Sequence, residues 1–164
     1  MRIYTIGHSN HSIEFFIELL RKFDIEVLVD VRSYPYSKYV PHFNRENLKP
    51  VLKDEGIEYV YMGDLLGGRY TLGKRKELVK PDGKIDWKKV REQDFFKEGI
   101  EKLINLAENR TVAIMCAEEN PLRCHRFFLI SPALIEQGVE VLHIRKTGKA
   151  QSDPSLRKKD PSLF

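Results

Sequence analysis

Two short runs decide most of what this chain can become. Glu26-Val27-Leu28-Val29-Asp30-Val31 and Thr111-Val112-Ala113-Ile114-Met115-Cys116 are almost continuously apolar and rich in β-branched residues. A strand with one wet face alternates polar and apolar residues. A strand without alternation is covered on both faces, as in a parallel sheet held between helices. The flanking segments can supply those helices. Ser12–Phe23 places Ile13, Phe16, Ile17, Leu19, Leu20 and Phe23 at helical spacing behind an N-cap serine. Asn44–Glu55 reads as a helix stopped by Gly56, and Asp94–Glu108 as an amphipathic one. Asn120-Pro121 opens a further helix predicted to run to Gln137, with Pro132 kinking it. Arg2–Gly7, Ile57–Met62 and Val139–Ile144 complete the strands, while Ser33–Phe43 and Gly63–Lys84 read as loops. The expectation is an α/β, three-layer sandwich with a mainly parallel sheet of about five strands. One domain spans residues 1–144, and 145–164 form a basic, partly disordered tail.

Composition narrows the setting. At 41% hydrophobic and 32% charged the chain is that of an ordinary folded domain. It has no apolar run of membrane-spanning length. Met1–Gly7 reads as a strand and not as a signal peptide, and two cysteines make no disulfide framework, so the expected location is cytoplasmic, with no membrane partner. The formal charge of +4 resides in residues 145–164; the body is balanced. Basic segments at 69–91 and 145–159 mark nucleic acid as a candidate partner.

The carboxyl ends of parallel strands open on one edge, where ligands bind. Titratable and polar residues collect at these ends: His8 and Ser9, Asp30 and Arg32, Gly67 and Gly68, Cys116 and Glu118. The catalytic candidates are Cys116, Glu118, Asp30 and His8. The ligand-binding candidates are Ser9, Arg32, Tyr34, Arg126, Gly67 and Gly68. Carboxylates paired with arginines, beside a Tyr-rich loop, suit a nucleotide- or nucleic-acid-related ligand. The chemistry identifies no particular cofactor.

Both cysteines lie in Ile114–Phe127. A thiol at a helix N-terminus is stabilised as thiolate, and Arg123 and Arg126 would share a face of the helix beyond it. A cysteine-dependent sulfur- or phosphoryl-transfer enzyme using Cys116 is therefore an alternative. Against it, six residues separate Cys116 from Arg123 where cysteine phosphatases have five, and Glu118 and Glu119 would repel a phosphate. A metal-binding or nucleic-acid-binding module without catalysis is a further alternative. The spacing assigns no metal ligands: seven residues separate the cysteines, and Cys124 and His125, adjacent on a helix, would diverge by about 100°. Cys124, one helical turn before Phe128, is expected in the core.

Thr5-Ile6-Gly7-His8-Ser9, Leu28-Val29-Asp30-Val31-Arg32-Ser33-Tyr34-Pro35, Leu66-Gly67-Gly68, Met115-Cys116-Ala117-Glu118, Pro121 and Cys124-His125-Arg126 together resemble the domain of unknown function 488 family. The likeness covers residues 1–145 and implies a small bacterial or archaeal α/β protein; it implies no reaction. The layout of Val27–Arg32, Cys116 and Gly138–Val141 is also similar to rhodanese-like sulfurtransferases, without their Gly-rich anion loop.

Overall fold

The computed structural model describes residues 1–70 and 75–154. The doubly apolar runs become β2 (Val27–Asp30) and β4 (Val112–Cys116), with no exposed residue in either. They pair in parallel inside a sheet of order β3-β2-β4-β1-β5-β6, in which β1 is Arg2–Gly7, β3 Glu58–Tyr61, β5 Glu140–Ile144 and β6 Ala150–Ser152. The first five strands are parallel. β6 runs antiparallel to β5.

Alternate residues along each strand feed two cores. Leu28, Ala113, Met115 and Ile6 meet Phe16 and Leu20 of α1 (Ile13–Lys22) and Leu48 and Leu52 of α2 (Arg45–Asp54). Val27, Val29, Val112, Ile114 and Val141 face the other way. They meet Leu66 of the one-turn α3 (Gly63–Leu66), Val90 of α4 (Trp87–Arg91), Ile100 and Leu103 of α5 (Asp94–Ala107), and Leu134 of α6 (Ser131–Glu136). The three-layer sandwich is therefore as the strand patterning predicts.

Two expectations change. A sixth strand lies beyond residue 144, where a tail is predicted. Arg145 N–H to the Lys149 carbonyl and Gly148 N–H to the Arg145 carbonyl close the β5–β6 turn, and Asp153 ends up fully buried. Residues 155–164, which hold the rest of that segment, lie outside the described residues. The helix predicted from Pro121 to Gln137 is three pieces: a 3-10 turn (Pro121–Arg123), a π-helical stretch (Arg126–Ile130) and α6. Cys124 between the first two is extended, at φ −135° and ψ 151°. Pro132 has no N–H to offer the helix ladder. The ladder instead widens to π spacing, with Ser131 giving both its N–H and its hydroxyl (2.6 Å) to the Arg126 carbonyl.

The topology sets where a site can form. The helices after β1 and β2 cover one face of the sheet, whereas those after β4 cover the other. β4 lies between β2 and β1, so the connections diverge at its carboxyl end, Cys116, and open a crevice there. Register keeps the neighbouring ends level: Gly7 opposite Cys116, and Asp30 opposite Met115 and Tyr61.

Candidate functional site

The crevice is a cleft of about 830 Å³ lined by Arg32, Tyr34, Gly68, Arg69, Lys80, Lys84, Trp87, Cys116, Glu118, Arg123, Cys124, His125 and Phe128, among others. A smaller hollow of about 360 Å³ adjoins it through Arg32, Tyr34, Arg69 and Ala117, and adds His8, Ser9 and Tyr36. Of the sequence candidates, Cys116, Glu118, Arg32, Tyr34 and Gly68 meet in the larger space, and His8 and Ser9 in the smaller.

Asp30 and His8 stand behind Arg32. The Asp30 carboxylate is completely buried and fully bonded. It accepts from Arg32 Nε (2.9 Å), Arg32 NH2 (2.8 Å), the Arg32 backbone N–H (3.1 Å) and the Tyr59 hydroxyl. Burial, with the Asp30 charge beside it, pushes the Tyr59 phenol far above its ordinary value, so it remains a donor. Arg32 also donates to the Phe43 carbonyl (2.8 Å), and its NH1 lies 3.2 Å from His8 Nε2. His8 donates through Nδ1 to the Ser9 carbonyl (2.8 Å) and stacks on Phe43, which leaves Nε2 as the acceptor toward Arg32. Burial, reinforced by the Arg32 charge, lowers His8 to about 4. At neutral pH it is therefore uncharged and fit to accept from the guanidinium.

The other wall follows from the break at Cys124. Because Cys124 is extended, Arg123 and Arg126 do not share a face. Arg123 is exposed at the cleft, whereas Arg126 is wholly buried. Arg126 directs Nε (3.3 Å) and its backbone N–H (3.5 Å) at the Cys124 sulfur, NH1 at Thr5 Oγ1 (3.1 Å) and NH2 at the Glu118 carbonyl. It thus fixes the loop after β4 from beneath. Burial lowers its guanidinium to about 10, where it still carries its charge at neutral pH. Thr5 continues the chain to His143 Nδ1 (2.6 Å), and His143 Nε2 to Asp153 (2.7 Å), tying β6 to this floor.

The same break overturns the expectation that Cys124 and His125 diverge. Cys124 Sγ is 3.6 Å from His125 Nδ1, and Cys116 and Cys124 close on one another as a disulfide pair. Cys124 is buried, as expected, yet it borders the cleft instead of the interior alone. His125 donates Nε2–H to the Val31 carbonyl (3.0 Å), and its other nitrogen, Nδ1, points at the sulfurs. Gly68 allows this placement: a Cβ there would stand 2.7 Å from the His125 ring. Gly7 is required similarly, because a Cβ would meet the Glu118 carbonyl at 1.9 Å. Gly67 packs on Ser33 and Gly63 and does not reach the larger cleft.

The two glutamates separate. Glu118 is exposed on the cleft, and the Asn120 N–H donates weakly to it (3.4 Å). Glu119 turns away to Arg145 (3.1 Å) and the Lys146 N–H (3.3 Å). Burial opposes its charge, but these bonds outweigh that and lower its carboxyl below the usual value. Only one of the two carboxylates thus borders the cleft.

Residues 12–132 match the family described as Domain of unknown function DUF488. The chain belongs to the DUF488 family. Searches among curated proteins and among solved structures found no match. The matched DUF488 span takes in the Asp30–Arg32 pair and the Cys116–Arg126 stretch, and stops short of His143 and β6. Among the described residues, no helix is long and apolar enough to cross a membrane.

The sequence reading missed His125, Arg69 and Arg123 as members of one wall. Arg69 carried a weak signal, as the start of a basic segment. The Cys-His-Arg tripeptide carried a stronger one, three chemically active side chains in a row. It was obscured by assuming a continuous helix.

Proposed function

We propose that the cleft at the end of β4 binds an anionic aromatic ligand, a nucleotide or a short single-stranded nucleic acid, and that the protein is a cytoplasmic enzyme acting on it. One observation carries this reading. Arg32, Arg69, Lys80, Lys84 and Arg123 line the space against a single carboxylate, Glu118, while Tyr34, Trp87 and Phe128 offer ring faces. Cations on a low-dielectric wall attract phosphate, and exposed rings stack on bases. Tyr34 and Phe128 are exposed, and the Arg69 guanidinium sits 5.7 Å over the Tyr34 ring, so base and phosphate contacts would lie side by side. Asp30 and His8 are positioning residues in this reading, holding the Arg32 guanidinium in place. Glu118 is the general base, the carboxylate on the cleft.

The reading of Cys116 as a lone nucleophile has less support. The guanidinium and backbone N–H that would stabilise a thiolate go to Cys124. Fluorescence anisotropy with a labelled oligonucleotide of a few nucleotides, and with a fluorescent nucleoside triphosphate, tests the proposal. The doubly substituted Arg69→Ala, Arg123→Ala protein should bind at least about tenfold more weakly, since each charge-assisted bond contributes on the order of 1 kcal/mol or more. Affinity should also fall as salt rises. Millimolar or weaker binding of both probes to the native protein, or no effect of the double substitution, would sink the idea.

A further inference from the structure

We propose that Cys116, Cys124 and His125 form a zinc(II) site at the floor of the cleft, with a fourth coordination position turned to the open space. The three donor atoms come from the end of β4, an extended residue and the residue that caps the π-helical stretch, yet all lie within 4.8 Å of one another. Two sulfurs and an imidazole nitrogen are a borderline-soft donor set that suits zinc. Zinc–sulfur and zinc–nitrogen bonds of about 2.3 and 2.1 Å in a tetrahedron place sulfur and nitrogen roughly 3.5 Å apart. Cys124 Sγ and His125 Nδ1 are 3.6 Å apart.

The surroundings are those of a built site. His125 donates its other ring N–H to the Val31 carbonyl, which orients the ring and leaves Nδ1 as the ligand nitrogen. Gly68 makes room for that ring and excludes a side chain from the space beside it. The Arg126 backbone N–H and Nε both point at the Cys124 sulfur, as donors that favour a bound thiolate. The Cα atoms of the two cysteines are 7.8 Å apart. That exceeds the ~4.4–6.8 Å across which disulfides are usually made, and suits two thiolates that share an ion. With both cysteines, His125, Glu118 and Arg123 on one cavity wall, the remaining position would face any ligand held there. Three protein ligands and one open position distinguish a reactive zinc site from a structural one.

The metal binds the dithiol form. A dithiol reductant gives two electrons and two protons to the Cys116–Cys124 bond and leaves as its own disulfide. Entry of zinc then releases the two thiol protons.

The inference does not rest on the nucleotide reading, and its test contains no nucleotide. The full chain, reduced and stripped with a chelator, would be titrated with zinc(II) against a chromophoric competitor, and separately with cobalt(II). The expected result is one equivalent bound at submicromolar Kd, with cobalt bands of thiolate coordination in a tetrahedral field. Cys116→Ser and Cys124→Ser should each weaken zinc by 100-fold or more, and His125→Ala by about tenfold or more. Circular dichroism would establish that each variant is folded. Should a variant not fold, protection in the native chain decides. Zinc should shield both thiols from iodoacetamide, one equivalent sufficing, as read by peptide mass. The proposal is overturned if the reduced native chain takes up no stoichiometric zinc, if folded cysteine variants bind as the native chain does, or if zinc leaves alkylation unchanged.

Discussion

Two polar clusters flank the end of β4, and they are built on opposite terms. On the β2 side, Asp30, Arg32, His8 and Tyr59 satisfy one another. Asp30 has no exposed surface, and its hydrogen bonds occupy both carboxylate oxygens. On the far side, Cys116, Cys124 and His125 border open space, and His125 keeps one ring nitrogen directed at sulfur. A saturated buried network stiffens a fold and presents a ligand only with the part of Arg32 that reaches the cleft; an unsaturated one beside a cavity can still react. Position at a strand end does not tell these cases apart. Counting the partners of each atom does.

The largest effect should come from breaking the saturated side. Asp30→Ala leaves a buried guanidinium without its carboxylate, and should lower unfolding free energy by about 3–5 kcal/mol in urea titrations. A loss below about 1 kcal/mol would mean that the pair is not the rigid frame described. Acid should produce the next effect. The His8 pKa is depressed from the ordinary 6.5 to about 4, so the unfolded chain takes up a proton that the folded chain refuses. Stability is then fully present above about pH 6.5 and is lost as pH falls toward 4, by about 1 kcal/mol per unit from this residue. His8→Gln should flatten that slope in urea midpoints measured between pH 6.5 and 5; an unchanged slope would remove His8 as its source. Tyr59→Phe removes one bond from a carboxylate that keeps three others, and should cost about 1–2 kcal/mol by thermal or chemical unfolding. The smallest change in stability belongs to the open side. Glu118→Gln should stay within about 0.5 kcal/mol of the native protein while altering affinity for the anisotropy probes. If it destabilised the fold as much as Tyr59→Phe, the contrast between the two sides would fail.

How much of this was legible in the sequence follows from the range of the forces involved. β2 and β4 announce themselves because coverage on both faces removes polar alternation. The edge that carries the site then follows from parallel topology. The strands Arg2–Gly7 and Val139–Ile144 are found for the same local reasons. The cysteine wall was not legible because it depends on a single extended residue. Nothing at Cys124 itself breaks a helix, and Pro132 signals a disturbance without saying where the ladder will shift. Once Cys124 leaves the helix, side chains expected to diverge converge, and two arginines expected together part. β6 was hidden for a different reason. Ala150-Gln151-Ser152 has no strand pattern, and forms one because β5 presents a free edge and Asp153 finds His143.

That last contact also reaches well beyond β6. Asp153 is joined through His143 and Thr5 to Arg126, the side chain that fixes the loop after β4. Support for the loop that borders the cleft thus reaches back to residue 153, outside the matched family span, so Asp153→Ala should loosen that loop while leaving the parallel strands in place.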